Sequence, residues 1–188
     1  MKTNNTYFLL RHGEARSNKD DFVSSWPEKK YNPITLEGKK QIQKIIPVLK
    51  KEKIDLIFSS DLLRTAQTAK MVAKNLCLKI NFDKRLREIS FGVLNGKKEE
   101  EWDIFFGTRL NRFVKRPLNG ENYRDIRKRL VRFLREVEKK YENKNILIIS
   151  HGAILFSLQV IIMGLREEDE KKDGRRFKLS PGEFKEIC

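Results

Sequence analysis

The sequence predicts an α/β fold, a three-layer, single-domain α/β/α arrangement around a mostly parallel sheet, and three observations carry that expectation. Short apolar runs suited to buried strands alternate with stretches of helical periodicity, the pattern of βαβ units. A chain of 188 residues can bury roughly two-thirds of its unfolded surface, enough for a core without disulfides or a structural metal. No internal repeat, low-complexity segment or linker divides the chain, so residues 1–188 are expected to form one domain.

Tyr7 to Leu10 reads as a buried strand, followed by a turn at Arg11-His12-Gly13 and an exposed polar loop containing Trp26-Pro27 and Asn32-Pro33. Thr35 caps a helix to about Glu52 with Ile42, Ile45, Ile46 and Leu49 inward, and Pro47 is expected to kink or shorten it. Leu56 to Phe58 is a second strand, Leu62 to Leu76 a second helix, and Leu78 to Phe82 a third, alternating strand. From Arg85 to Pro117 the periodicity is poor, apart from EEEWDIFF, which predicts a short covering helix. Residues 93–118 therefore read as a lid or insertion. Asn122 to Tyr141 is a long amphipathic helix, Ile146 to Ile149 the clearest strand, and Ala153 to Met163 a helix apolar almost all round, hence core. The end, RRFKLSPGEFKEI, predicts two short strands about a Pro-Gly turn, an antiparallel edge hairpin. Trp26 and Trp102 are both expected to pack on the body.

Composition narrows the function classes. With 41 Lys+Arg against 26 Asp+Glu the formal charge is +15, which suits either a nucleic-acid footprint or a field that steers small anions. Thirteen basic residues against five acidic ones lie between Arg109 and Lys144, over half of the excess. The same stretch carries Ile126, Leu130, Phe133 and Val137 at helical spacing, so most of that charge is the solvated face of a helix. It lacks the aromatic interleaving of a nucleic-acid module, which makes a nucleic-acid partner a poor fit. The two cysteines, Cys77 in a helical stretch and Cys188 at the end, argue against a disulfide framework. The N-terminal apolar run is too short for a signal peptide, and the tract Gly152 to Leu165 is shorter than the ~20 residues of a membrane span. A cytoplasmic protein without membrane contact is the expectation.

Both histidines of the chain occupy one local context, an apolar run, a polar residue, His and Gly: FLLRHG and LIISHG. Ligands of open α/β sheets bind outside the carboxyl ends of the strands, where His12 and His151 would both stand. The glycines permit close backbone approach, and a following helix start offers N–H groups to an anion. The second strand ends in Ser59-Ser60-Asp61 and leads to LLRTAQTA, placing Arg64 in a first helical turn on the same rim as Arg11. Two guanidiniums and two imidazoles together form a phosphate pocket.

These residues resemble the histidine phosphatase superfamily, in particular the branch with cofactor-dependent phosphoglycerate mutases and the fructose-2,6-bisphosphatase domain. The matching pieces, in the family's order, are RHGEARSN at 11–18, ITLEGKKQ at 34–41, SSDLLRTAQTA at 59–69, LREISFGVLNG at 86–96, NGENYRDIRKR at 119–129 and SHG at 150–152. The resemblance implies a phosphoglycerate mutase-like fold and covalent catalysis, with His12 attacking phosphorus and water hydrolysing the phosphohistidine. Arg11, Arg64, His151 and Asn18, with the Gly152 backbone N–H, would grip the phosphoryl oxygens. The positive charge of Arg11 and Arg64 is expected to keep His12 unprotonated. Glu88 matches the general acid, with a pKa raised by partial burial. Glu14 is the rival acid, expected instead to orient the loop, and Glu121 matches a supporting position.

The departures are Ala15 where relatives often carry Ser or Thr, Asn95-Gly96 after the general-acid box, and DGRRF near the end, whose Arg175 and Arg176 are either rim residues or exposed charges. The chain lacks the insertion that closes mutases over a bisphosphate, which favours net hydrolysis. The reading is a metal-independent phosphatase of a small phosphorylated metabolite. Cofactors are none, with 2,3-bisphosphoglycerate as primer only for a mutase. The alternatives are phosphoglycerate mutase-type transfer and, from another class, a basic nucleic-acid or anion-binding module without turnover.

Overall fold

The computed structural model describes residues 3–172 and 176–187, apart from the side chains of Glu170 and Lys172. In chain order the elements are β1 (Thr6–Arg11), α1 (Arg16–Lys19), α2 (Leu36–Lys51), β2 (Leu56–Ser59), α3 (Leu63–Leu76), β3 (Ile80–Phe82), α4 (Glu99–Phe106), α5 (Asn111–Val114), α6 (Tyr123–Lys140), β4 (Asn145–Ser150), α7 (Gly152–Ile162), α8 (Glu167–Lys172) and β5 (Phe184–Ile187). The strands form one sheet in the order β3-β2-β4-β1-β5, parallel except for the antiparallel β1–β5 pair.

Alternation along the central strands sorts their side chains onto two faces. Phe8, Leu10, Leu147 and Ile149 meet Ile42, Ile46 and Leu49 of α2 and Ala69, Val72 and Ala73 of α3. Tyr7, Leu9, Ile146 and Ile148 meet Ile126, Leu130, Phe133 and Val137 of α6 and Ile154, Leu155 and Leu158 of α7. Helices therefore cover both faces, as the sequence predicts. Each buried Leu, Ile or Phe contributes about 1.5–3 kcal/mol relative to exposure, and α7, buried nearly all round, is the densest such contributor.

The topology places the site. After β1 the chain crosses to α2 on one face, and after β4 it enters α7 on the other, although β1 and β4 are neighbours. Such a switch point opens a crevice at the carboxyl ends of the two strands. Their register pairs Arg11 with Ser150, so His12 and His151 leave the sheet side by side, and the His12 N–H donates to the Ser150 carbonyl at 3.1 Å. The turn after β1 is pressed against the start of α2: a Cβ on Gly13 would stand 2.5 Å from the Gly38 carbonyl oxygen, so only glycine fits.

Four expectations need correction. Pro47 does not shorten helix α2, which runs through it to Lys51. Pro47 lies on the exposed face, where water can take the carbonyl that loses its N–H partner. The third strand is only Ile80–Phe82, an edge strand. Among the described residues no C-terminal hairpin forms, because β5 pairs with β1 and residues 177–180 form no strand. Phe177 and Leu179 alternate with exposed neighbours as a strand would, but their carbonyls accept side-chain donors, Gln159 Nε2 at 2.8 Å and Arg11 Nη1 at 2.8 Å. Trp26, finally, is 55% exposed with the Arg87 guanidinium 4.2 Å from its ring centroid, whereas Trp102 is buried as expected.

Candidate active site

His12 is buried at the end of β1. Its Nδ1 lies 2.8 Å from the Gly13 carbonyl oxygen, which accepts only an N–H, so Nδ1 carries the proton and Nε2 presents a lone pair. Arg64 Nε donates to that Nε2 at 3.1 Å. The remaining Arg64 donors go to the Ser24 carbonyl at 2.9 Å and to Glu28, 3.5 Å away. Arg64 sits in the first turn of α3, whose packing through Ala69, Val72 and Ala73 fixes the guanidinium.

His151 is also buried, with its ring centroid 5.3 Å from that of His12. Its Nε2 is 2.9 Å from Ser60 Oγ, while its Nδ1 is buried without a partner among the described residues. Ser60 belongs to the matched piece at 59–69, although no role was expected for it there. Arg11 reaches the Leu179 carbonyl through Nη1, and its Nε is buried with no partner among the described residues. The Arg11 guanidinium lies over Gly152, where a Cβ would come within 3.4 Å of its Cζ. Gly152 is the first residue of α7, whose leading N–H groups lack helical acceptors. Unfilled donors thus converge from β1, β4 and α7.

Burial is the largest cause that lowers the pKa of both histidines well below 6.5, with the positive charges of Arg64 and Arg11 acting in the same direction. Charge alone, the cause expected from the sequence, is secondary. Burial also lowers Arg64, to about 10, which leaves it protonated at neutrality. Glu88 moves the opposite way: burial raises it, against the attraction of Arg64, Arg11 and Arg129. Its Oε1 accepts from the Ile89 N–H at 2.9 Å.

A pocket of about 330 Å³ opens at this rim, lined by Arg11, Glu88 and Gly152 among others. His12 and His151 do not line it but are each adjacent in sequence to a residue that does. Trp102, Tyr123 and Phe156 form an aromatic wall, and Arg109, Arg112 and Lys178 add cations. Sequence reasoning missed these last three, because Arg109 and Arg112 were absorbed into the charge surplus and Lys178 arrives from a distant segment. Asn18 is not brought into the pocket lining: it is exposed, and its Oδ1 accepts from the Ala15 N–H at 2.9 Å. Glu14 accepts from Thr35 Oγ1 at 2.6 Å and so ties the loop to α2. Asn95 holds the loop before α2 through the Ser25 N–H and the Ser25 and Pro27 carbonyls. Arg176 is exposed, with its guanidinium 5.7 Å from the centroid of the Phe177 ring, and Arg175 lies outside the described residues.

Comparison with known proteins turns this geometry into a family. The model of the histidine phosphatase superfamily (branch 1) matches residues 7–185. The chain belongs to that superfamily. Among its relatives, the probable phosphoglycerate mutase GpmB of Escherichia coli is 30% identical over 174 residues, covering 88% of this chain and 78% of the relative. The alpha-ribazole phosphatase of Shigella flexneri superposes with a TM-score of 0.82 at 26% identity, covering 97% of this chain and 90% of that one. Mycobacterial glucosyl-3-phosphoglycerate phosphatase gives 0.82 at 21% identity, covering 96% and 88%, a likeness of fold. This histidine phosphatase is an enzyme of the phosphatase type. Among the described residues no helix is long and apolar enough to cross a membrane, and no group of three His, Cys, Asp or Glu could hold a metal ion.

Proposed function

We propose that this histidine phosphatase hydrolyses a small phosphate monoester through a phosphohistidine on Nε2 of His12. The observation that carries the reading is a neutral His12 whose Nε2 lone pair faces a buried guanidinium, at a rim where Arg11, Glu88 and Gly152 wall a pocket. The Arg64 N–H on that lone pair passes to a phosphoryl oxygen as substrate enters. Nε2 then attacks phosphorus, the bond to the leaving oxygen breaks, and Glu88 gives that oxygen its proton. Arg11, Arg64, the partnerless Nδ1 of His151 and the Gly152 N–H bind the equatorial oxygens. In the second half, Glu88 takes a proton from water as the water attacks phosphorus, which frees His12 and releases inorganic phosphate.

No metal or organic cofactor enters these steps. A second reading, phosphoglycerate mutase-type transfer primed by 2,3-bisphosphoglycerate, is favoured by Arg109, Arg112 and Lys178, cations suited to a second anionic group. The test is hydrolysis of p-nitrophenyl phosphate in excess EDTA by the wild type and by His12→Ala, followed by a panel of phosphorylated metabolites. Activity that survives EDTA and falls by at least about 10³-fold in His12→Ala is expected. Inactivity of the wild type across the panel, with turnover of phosphoglycerate only when primer is present, would establish the second reading.

A further inference from the structure

Beyond the groups at phosphorus, a side-chain pair on the α6 side grips the segment that carries Glu88. Arg129 donates through Nε and Nη2 to the two oxygens of Glu121, at 2.9 and 3.0 Å. The same guanidinium donates through Nη1 to the Arg85 carbonyl and through Nη2 to the Glu88 carbonyl, the latter at 3.4 Å. Glu121 completes the grip, since its Oε2 accepts from the Ser90 N–H and its own N–H donates to the Ser90 carbonyl, both at 2.9 Å. Three backbone positions around the carboxyl group, 85, 88 and 90, are therefore held by two side chains.

The anchor is stiff where the segment is not. Residues 87–91 belong to no helix or strand, whereas Arg129 projects from an α6 whose Ile126, Leu130 and Phe133 are fully buried. Ser150 Oγ adds a third tie, donating to the Leu86 carbonyl at 2.7 Å, which links the segment to the residue before His151. Among the described residues the Glu88 carboxyl has a hydrogen bond only to the Ile89 N–H in its own segment, so its place on the pocket wall follows from where its backbone is held.

We propose that Arg129 and Glu121 are positioning residues that set the Glu88 carboxyl for proton transfer to the leaving oxygen. The inference rests on Glu88 being the proton donor. A misplacement of about 1 Å at a reacting group can cost 10²-fold, and loss of general acid catalysis costs about 10²–10⁴-fold. Lys in place of Arg129 offers one point of charge instead of a planar fork and cannot span Glu121 and two carbonyls.

The test compares phenyl phosphate with p-nitrophenyl phosphate, nearly equal in shape, of which only the first needs its leaving oxygen protonated. In Arg129→Met, kcat/KM is expected to fall about tenfold or more on phenyl phosphate and less than about threefold on p-nitrophenyl phosphate. Glu121→Gln should lean the same way, and Arg129→Lys should recover only part of the loss. Glu88→Gln serves as reference and should show the same bias, larger. Equal losses on both esters, or none, in Arg129→Met would overturn the proposal. Should that variant not fold, the bias or its absence in Glu121→Gln decides. A Glu88→Gln enzyme without the bias would remove the donor assignment itself, an outcome distinct from bias in Glu88→Gln alone.

Discussion

Two populations of cations in this molecule share a chemistry and differ in everything else. Arg64 is 3% exposed, and its donors go to His12, Ser24 and Glu28. Lys128, Arg132 and Arg135, by contrast, line a surface groove along α6 with Val131, and among the described residues no carboxylate pairs with them. The first kind stands beside an imidazole whose own burial depresses its pKa, and its charge adds to that depression. The second kind contributes only a screened field. A charge of +15 therefore says little about chemistry until each cation is placed.

The sharpest way to break this contrast is to remove one member of each group. Arg64→Met should lower kcat on p-nitrophenyl phosphate by about 10²–10³-fold, as for the loss of a buried oxyanion donor. Arg135→Met should leave kcat within about twofold, and comparable losses in the two variants would refute the distinction.

Acidity sharpens it further. The pKa values of His12 and His151 are depressed in the fold, so the stability they contribute is complete above about 6.5 and is lost as pH falls through that value toward their folded values. Each can contribute up to about 1.4 kcal/mol per pH unit over that window. Glu88, raised in the fold, has the opposite sign: its contribution is present below its unfolded value and fades as pH rises through the folded one. Melting curves from pH 7.5 to 5 should show Tm falling, with a smaller fall in His12→Asn. A Tm profile unchanged by that substitution would sink the assignment of a buried neutral imidazole.

The smallest expected effect belongs to the outer groove. The triple change of Lys128, Arg132 and Arg135 to Ala should alter stability by at most about 0.5 kcal/mol per site. It should also reduce the salt dependence of kcat/KM slightly while leaving kcat unchanged. A tight complex with RNA or DNA that disappears in the triple variant would instead restore a binding role for this surface.

Much of the catalytic rim was legible because each part is local to one strand end. The apolar run before His12 or His151 marks the strand, and the glycine after it marks the turn. Helix α6 was legible from Ile126, Leu130, Phe133 and Val137, although its role in holding Glu88 was not, because Arg129 belongs to the half-buried flank between core and solvent. The outer pocket was not legible either. Trp102, Arg112, Tyr123 and Lys178 meet only through tertiary packing, and no spacing in a single segment signals it. The hairpin misreading of residues 177–180 has the same origin: burial alternates as in a strand, but side chains of α7 and β1 take the carbonyls.

The position of β1 has a consequence for biosynthesis. Among the described residues, 6–11 pair only with 145–150 and 184–187, so this strand has no sheet partner until 139 residues beyond its first one have been made. At about 5–20 residues per second, that interval is roughly 7–28 s. Throughout it this apolar strand, which leads into His12, waits unpaired at the ribosome, and the rim that brings His12 beside His151 cannot form before β4 is made. The appearance of phosphatase activity in a synchronised translation reaction would thus time the closure of the last parallel pair, with the enzyme serving as its own clock.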